Sequence, residues 1–176
     1  MKKSWEIDIY RNKGHDYQRY LKKFFKFFRR AKEVKFKPIK NLYRLLFRVH
    51  SKKHNIEIFT STDIGIGLAL WHPFNITIAL ESKIGNNCTL NKNVLIGREF
   101  RGHRRGCPII GNNVWIGANA VIVGKVEIGD DVLIAPNSFV NCDVPSHSIV
   151  FGNPCIIKHK ENATENYIQN INYIED

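Results

Sequence analysis

The sequence predicts a mainly β chain, a parallel β-helix of triangular coils preceded by a short α-helical arm. Three observations predict it. Aliphatic residues recur every six positions over most of the chain, with turn residues between them. That ladder breaks at two places, each time by two extra residues. The positive charge is confined to the first third of the chain.

The arm comes first. Residues 1–55 hold 18 Lys/Arg against 4 Asp/Glu, net +14, while residues 56–176 hold 9 against 12, net −3. The +11 of the 176-residue chain therefore sits on an arm attached to a mildly acidic body. That body offers no basic field, so nucleic acid is not an expected partner. Residues 17–50 read as two helical stretches separated near Lys37-Pro38. The first mixes Phe24, Phe25, Phe27 and Phe28 with Lys22, Lys23, Lys26, Arg29 and Arg30; the second carries Leu42, Leu45, Leu46 and Val49. A solenoid needs its open end covered, so the aromatic faces are expected to cap the first coil. A Phe-rich basic helix also suits an anionic membrane, so peripheral contact at the inner face of the cell membrane is a second expectation. No run approaches the ~20 apolar residues of a membrane span. Charges interrupt the first residues, so no export signal is expected. Cys88, Cys107, Cys142 and Cys155 lack CxxC spacing and read as reduced thiols of a cytoplasmic protein.

The body, residues 56–158, carries the ladder. Ile58, Ile64 and Leu70 form one stretch and Ile78, Ile84, Leu90 and Ile96 the next. Ile110, Ile116, Ile122, Ile128, Ile134 and Val140 make six rungs without a slip. Gly often follows the rung, as at Gly85, Gly111 and Gly129, and then come Asn86-Asn87, Asn112-Asn113 and Asp130-Asp131. A period of six fits neither a helix nor a hairpin array. It fits a short strand and a tight turn, three of which close one coil, with the backbones of stacked coils pairing in parallel. Gly, Asn and Asp supply the corners. A β-sandwich with coincidental spacing would not keep register over six consecutive hexads. Residues 159–176 read as a C-terminal tail.

This pattern resembles the hexapeptide-repeat acyltransferase superfamily, over roughly residues 56–158. The resemblance implies a left-handed parallel β-helix, a hand that spacing alone does not give. Residues 108–158 carry most of it, including Asp143-Val144-Pro145 and Gly152-Asn153-Pro154, which resemble the terminal coil and exit of the serine acetyltransferase branch and the related polysaccharide O-acetyltransferases.

The two breaks hold the chemistry, because solenoid insertions gather on ligand-binding faces. Leu70 to Ile78 spans eight residues and contains His72, which resembles the family's catalytic histidine. An acceptor hydroxyl attacks a thioester only when a base takes its proton, and an imidazole with a pKa of about 6.5 suits that task. Glu57, 15 residues earlier, stands where the serine enzymes have an Asp that orients the base. Ile96 to Ile110 spans fourteen residues and contains Arg98, Arg101, His103, Arg104, Arg105 and Cys107. The serine enzymes have Arg-His before the Pro of this loop, where this chain has Gly106-Cys107; they have Asp before the catalytic His, where it has Trp71. These departures point away from L-serine. Trp71 suits the apolar face of a sugar ring, and His103, Arg104, Arg105 and Cys107 are the remaining expected substrate contacts, the arginines suiting an anionic glycan. Cys107 is expected to line the site rather than be acylated, since related enzymes transfer directly from CoA. The gamma carbonic anhydrase type of metal site needs three histidines in register; His72, His103 and His147 lack that spacing, so no metal is expected.

For the co-substrate acetyl-CoA, the resemblance implies contacts at Ala118, Pro136, Gly152, Asn153 and Lys158, with Arg98 and Lys160 as further cofactor-binding residues. It also implies a homotrimer with sites between subunits. The serine enzymes carry a longer helical domain before the solenoid, another reason to look elsewhere for the acceptor. The expected function is acetyl transfer from acetyl-CoA to a sugar hydroxyl of a surface polysaccharide or its precursor. Serine O-acetyl transfer is the first alternative and a non-catalytic glycan- or membrane-binding scaffold the second.

Overall fold

The computed structural model describes residues 3–14 and 16–171. Three helices, α1 (Ser4–Arg11), α2 (Gln18–Glu33) and α3 (Lys37–Ser51), precede a left-handed parallel β-helix. Its first face stacks β1 (Asp63–Ile64), β4 (Lys83–Ile84), β7 (Ile109–Ile110) and β10 (Glu127–Ile128). The second stacks β2 (Ala69–Trp71), β5 (Thr89–Asn91), β8 (Trp115–Ile116), β11 (Val132–Ile134) and β13 (Ser148–Phe151), closed by the antiparallel β14 (Ile156–His159). The third stacks β3 (Thr77–Ile78), β6 (Leu95–Gly97), β9 (Val121–Val123) and β12 (Phe139–Val140).

The rungs stack in register. Ile64, Ile84, Ile110 and Ile128 pair across the first face. Leu70, Leu90, Ile116, Ile134 and Val150 pair across the second, and Ile78, Ile96, Ile122 and Val140 across the third. All are buried in one continuous core cluster. Corners are made by residues that tolerate positive φ, among them Asn87, Asn113 and Asp131. Coils approach so closely at one corner that a Cβ on Gly85 would lie 2.5 Å from the Gly111 carbonyl oxygen, so only Gly fits. The corner between the second and third faces carries a ladder absent from the expectation. Asn55, Asn75, Asn93, Asn119 and Asn137, all at positive φ, pass side-chain hydrogen bonds from coil to coil at 2.8–3.1 Å.

The open edge of β2 exposes backbone groups that a further coil would bond. The arm supplies side chains instead. Asn12 donates from its amide nitrogen to Leu68 O (3.0 Å) and accepts from Leu70 N (2.9 Å), so its carboxamide stands in for a strand peptide. The Asp8 carboxylate accepts from Gly67 N and Leu68 N, and Arg29 donates to Ile64 O and Gly65 O. Arg29 and Asp8 also form a bidentate pair, Nε–Oδ2 2.7 Å and Nη2–Oδ1 3.0 Å, and both are buried. Leu21, Phe24, Phe25, Phe28 and Phe47 join the same core cluster as the rungs. These phenylalanines therefore face the solenoid, not a lipid surface. The break between α2 and α3 falls at residues 34–36, and Pro38 lies in the first turn of α3, where its missing N–H costs nothing. Helix α1 had no counterpart in the sequence expectation.

Past β14, the Asp131 carboxylate clasps the chain. It accepts from Ala163 N (3.0 Å), Thr164 N (3.0 Å) and Thr164 Oγ1 (2.7 Å), with His147 Nδ1 2.9 Å away. The last five residues of the expected tail lie outside the described residues.

Candidate active site

His72 follows β2 directly, is exposed, and has φ +52, a left-handed conformation that costs a β-carbon residue energy and persists only where its surroundings hold it. The hold comes from the arm. Phe74 N donates to His72 O at 2.7 Å, closing a tight turn over Pro73, and Asn75 N donates to His54 O at 3.0 Å. The His54 ring nitrogen Nδ1 lies 3.0 Å from Pro73 O. A carbonyl only accepts, so Nδ1 carries the proton. Burial lowers the pKa of His54, with Lys53 adding to it against the Pro73 bond, so the ring is neutral at pH 7 with its one proton on Nδ1. Phe74 stacks on His54 at 4.3 Å, His54 on Tyr20 at 3.6 Å and Tyr20 on His50 at 4.4 Å. Tyr17 stands edge-on to His54, Phe74 and His72 at 5.8, 5.3 and 6.4 Å. A stack of rings from α2 to the solenoid corner thus fixes the insertion that presents His72. None of Tyr17, Tyr20 or His54 was expected at the site. Their signal is tertiary, since His54 and Pro73 are 19 residues apart with no repeat linking them.

Glu57 lies just past the same corner, on the third face, where it bridges to Thr77. Its carboxylate accepts from Thr77 Oγ1 at 3.4 Å, a long bond, and among the described residues no hydrogen bond or ion pair joins it to His72.

Above His72 the corner repeats in each coil. Trp71 pairs with Asn91, which sets Lys92 over His72. Asn119 N bonds Lys92 O, Asn137 N bonds Ala118 O, and Phe139 N bonds Gly152 O. His72, Lys92, Ala118, Pro136 and Gly152 therefore line one edge of the prism in that order, with Trp71 half-buried at its foot. Asn153 follows Gly152 at the top. Lys158 stands opposite Ile149 and its Nζ lies 5.7 Å from the Phe151 ring centre, near this edge. Lys160 does not join it. Its N–H bonds His147 O, at the far end of β13. Lys92 is an exposed cation on the edge that went unnoticed in the sequence; stacking the hexads would have found it.

The second break sits on a different edge, between the third and first faces. It folds back as a small hairpin, with Glu99 and Gly106 exchanging N–H···O bonds of 2.9 and 3.0 Å. Lys125 N holds Arg104 O at 2.8 Å. Phe100 (72% exposed), Arg101, His103 and Arg105 face outward, Arg104 is half-buried and Cys107 is buried. Arg98 is ion-paired to Glu81 and covers the Phe100 ring at 5.6 Å, so it belongs to this hairpin and not to the His72 edge. One protomer does not bring the hairpin to His72. Among the described residues no group of three or more His, Cys, Asp or Glu side chains is placed to hold a metal ion.

The model of the bacterial transferase hexapeptide family (six repeats) matches residues 107–142, the slip-free part of the ladder. Beyond those residues the chain is similar to serine acetyltransferases. That of Helicobacter pylori is 36% identical over 99 residues, covering 55% of this chain and 57% of the relative. That of Staphylococcus xylosus is 35% identical over 113 residues, covering 64% and 52%. The chain thus spans a little over half the length of these two relatives. Among solved structures, the soybean serine acetyltransferase apoenzyme superposes with TM-score 0.73 at 26% identity, covering 88% of this chain and 67% of the other. The Neisseria gonorrhoeae serine acetyltransferase gives 0.72 at 27%, covering 90% and 65%. Coverage of 88% exceeds the solenoid alone, so the structural likeness of this hexapeptide-repeat protein reaches into its helical arm. About a third of each of those solved chains lies outside the match.

Proposed function

We propose that the chain is an acetyl-CoA-dependent O-acetyltransferase working in the cytoplasm, with a serine-type hydroxyl as acceptor and His72 as general base. One observation carries the reading: an exposed histidine, held at positive φ by a built support, shares an edge with Ala118, Pro136 and Gly152. From the sequence a sugar hydroxyl ranks ahead of L-serine; the serine acetyltransferases reported above reverse that order. Trp71, Gly106 and Cys107 remain departures from the serine pattern, and a sugar acceptor is kept as an arm of the test.

The acceptor oxygen gives its proton to the imidazole as it bonds to the thioester carbonyl carbon. The carbon–sulfur bond then breaks and the departing CoA sulfur takes the proton, leaving an acetyl ester and free CoA. Glu57 is the orienting carboxylate, released from its long bond to Thr77 once substrates tighten the site. The small residues Ala118 and Gly152, with Pro136, let the pantetheine arm lie close to the backbone, Asn153 and Lys158 meet the polar end, and Lys92, one coil above His72, lies at the reacting end. Because His72 and the 98–108 hairpin occupy different edges, a site that uses both needs a neighbouring copy, and we place the chain in a homotrimer. The test is CoA thiol release with L-serine and sugars side by side. Release with L-serine is expected. Release with sugars alone restores the sugar reading, and no release together with no acetyl-CoA binding leaves a scaffold.

A further inference from the structure

With Phe24, Phe25 and Phe28 turned into the core, the apolar surface left open on the arm belongs to α3. Ile39, Leu42, Leu45 and Val49 are 45–57% exposed, and Phe36 at its N-terminal end is 65% exposed. At about 100° per residue, Leu42, Leu45 and Val49 fall within about 60° of each other, on the side opposite the buried Phe47. Nothing among the described residues covers this stripe, and contiguous apolar surface of this kind marks an interaction site. Its charge setting is one-sided. Residues 35–53 contain seven Lys/Arg and no Asp or Glu. Arg44, Arg48 and Lys52 flank the stripe and line a groove of about 950 Å³ between α3 and residues 55–61.

We propose that α3 is the surface by which this protein lies on an anionic lipid membrane. The apolar stripe enters the headgroup–acyl boundary while the flanking cations meet lipid phosphates and carboxylates, the arrangement of an interfacial amphipathic helix. A two-fold contact through α3 is disfavoured, because it would set seven cations against seven with no acid on the helix to offset them. The helix cannot cross the bilayer: among the described residues no helix is long and apolar enough to do so. The proposal is independent of acetyl transfer, and vesicle binding and CoA release are separate readouts.

The test is flotation of the full chain with phosphatidylcholine vesicles, with and without about 30 mol % phosphatidylserine, at about 0.1 M salt. At least tenfold stronger partition onto the serine-lipid vesicles is expected, weakening as salt is raised. The double substitution Leu42→Glu/Leu45→Glu should lower binding by about tenfold or more while the thermal transition is unchanged, because both side chains already face solvent. Ile156→Glu, an exposed apolar residue on β14 at the opposite end of the solenoid (53%), should leave binding intact. Equal partition onto neutral vesicles, or full binding by the double variant, overturns the proposal. So does a fall in the oligomer mass of the double variant by light scattering, which would make α3 a protein contact.

Discussion

Arg29→Ala tests how the arm is tied to the solenoid. Arg29 and Asp8 are 4% and 0% exposed, and between them they occupy four backbone groups on the open end of the first coil. Removing the guanidinium leaves the Asp8 carboxylate buried without its counter-charge and two carbonyls without donors. Breaking a buried pair in this way costs about 3–5 kcal/mol. For a chain of this length each kcal/mol lowers the melting temperature by about 2–4 °C, so a drop of about 10 °C is expected by circular dichroism. Burial already raises the Asp8 pKa above 3.8, with Arg29 pulling it back. Without Arg29 the carboxyl rises further, so the folded variant takes up a proton more readily than the unfolded chain. The deficit is therefore largest at neutral pH and shrinks as pH falls. Asp8→Ala and the double variant complete the cycle, and the double should lose less than the sum of the singles. A loss under about 1 kcal/mol, or strict additivity, would show that the pair does not tie the arm down.

Four other outcomes are expected. His72→Ala should lower kcat by about 10²–10⁴ with acetyl-CoA affinity unchanged, measured by thiol release and calorimetry. His54→Phe keeps the ring stack but loses the Nδ1–H bond to Pro73, and should cost about 1 kcal/mol, a several-fold fall in kcat without a change in acetyl-CoA binding. Asn93→Ala forces a β-carbon residue without its ladder bonds to hold φ +60, so it should destabilise by about 1–2 kcal/mol, and Asn93→Gly should recover most of that loss in thermal unfolding. The Asp131 clasp should be tightest between about pH 4 and 6.5 by hydrogen exchange at Ala163 and Thr164. Burial pushes the Asp131 pKa up, but hydrogen bonds from Thr164, His147 and Ala163 outweigh it and hold the value below 3.8, so that contribution is lost as pH falls. The hydrogen bond to Asp131, aided by Glu161, holds His147 above 6.5, so its contribution is lost as pH rises.

The coil was legible because each rung carries its own instruction. An aliphatic residue every sixth position and a Gly, Asn or Asp between are local features, and stacking repeats them until Ile84 can only pair with Ile110 and its neighbours. His72 was legible for a similar reason: an insertion in a regular ladder shows as a slip. The expected pairing with Glu57 was a matter of direction. A separation of 15 residues places a side chain near the next coil but does not say which face it points from, and Glu57 turns toward Thr77. Arg98 and Lys160 misled for the same reason. Each is near the expected position in sequence, yet one is ion-paired on another edge and the other sits at the far end of a strand.

The sequence by itself determined the period, the two breaks and the division of charge, because these depend on neighbours a few residues apart. Tertiary structure alone decided which edge each break occupies, and which part of the basic arm is buried. Asp8 meets Leu68 across 60 residues, and Arg29 meets Gly65 across 36. No periodicity connects such pairs; they form because an open coil edge presents unpaired backbone groups that must be bonded when buried. That demand draws the phenylalanines of α2 inward, and it is what leaves the leucines of α3 facing out.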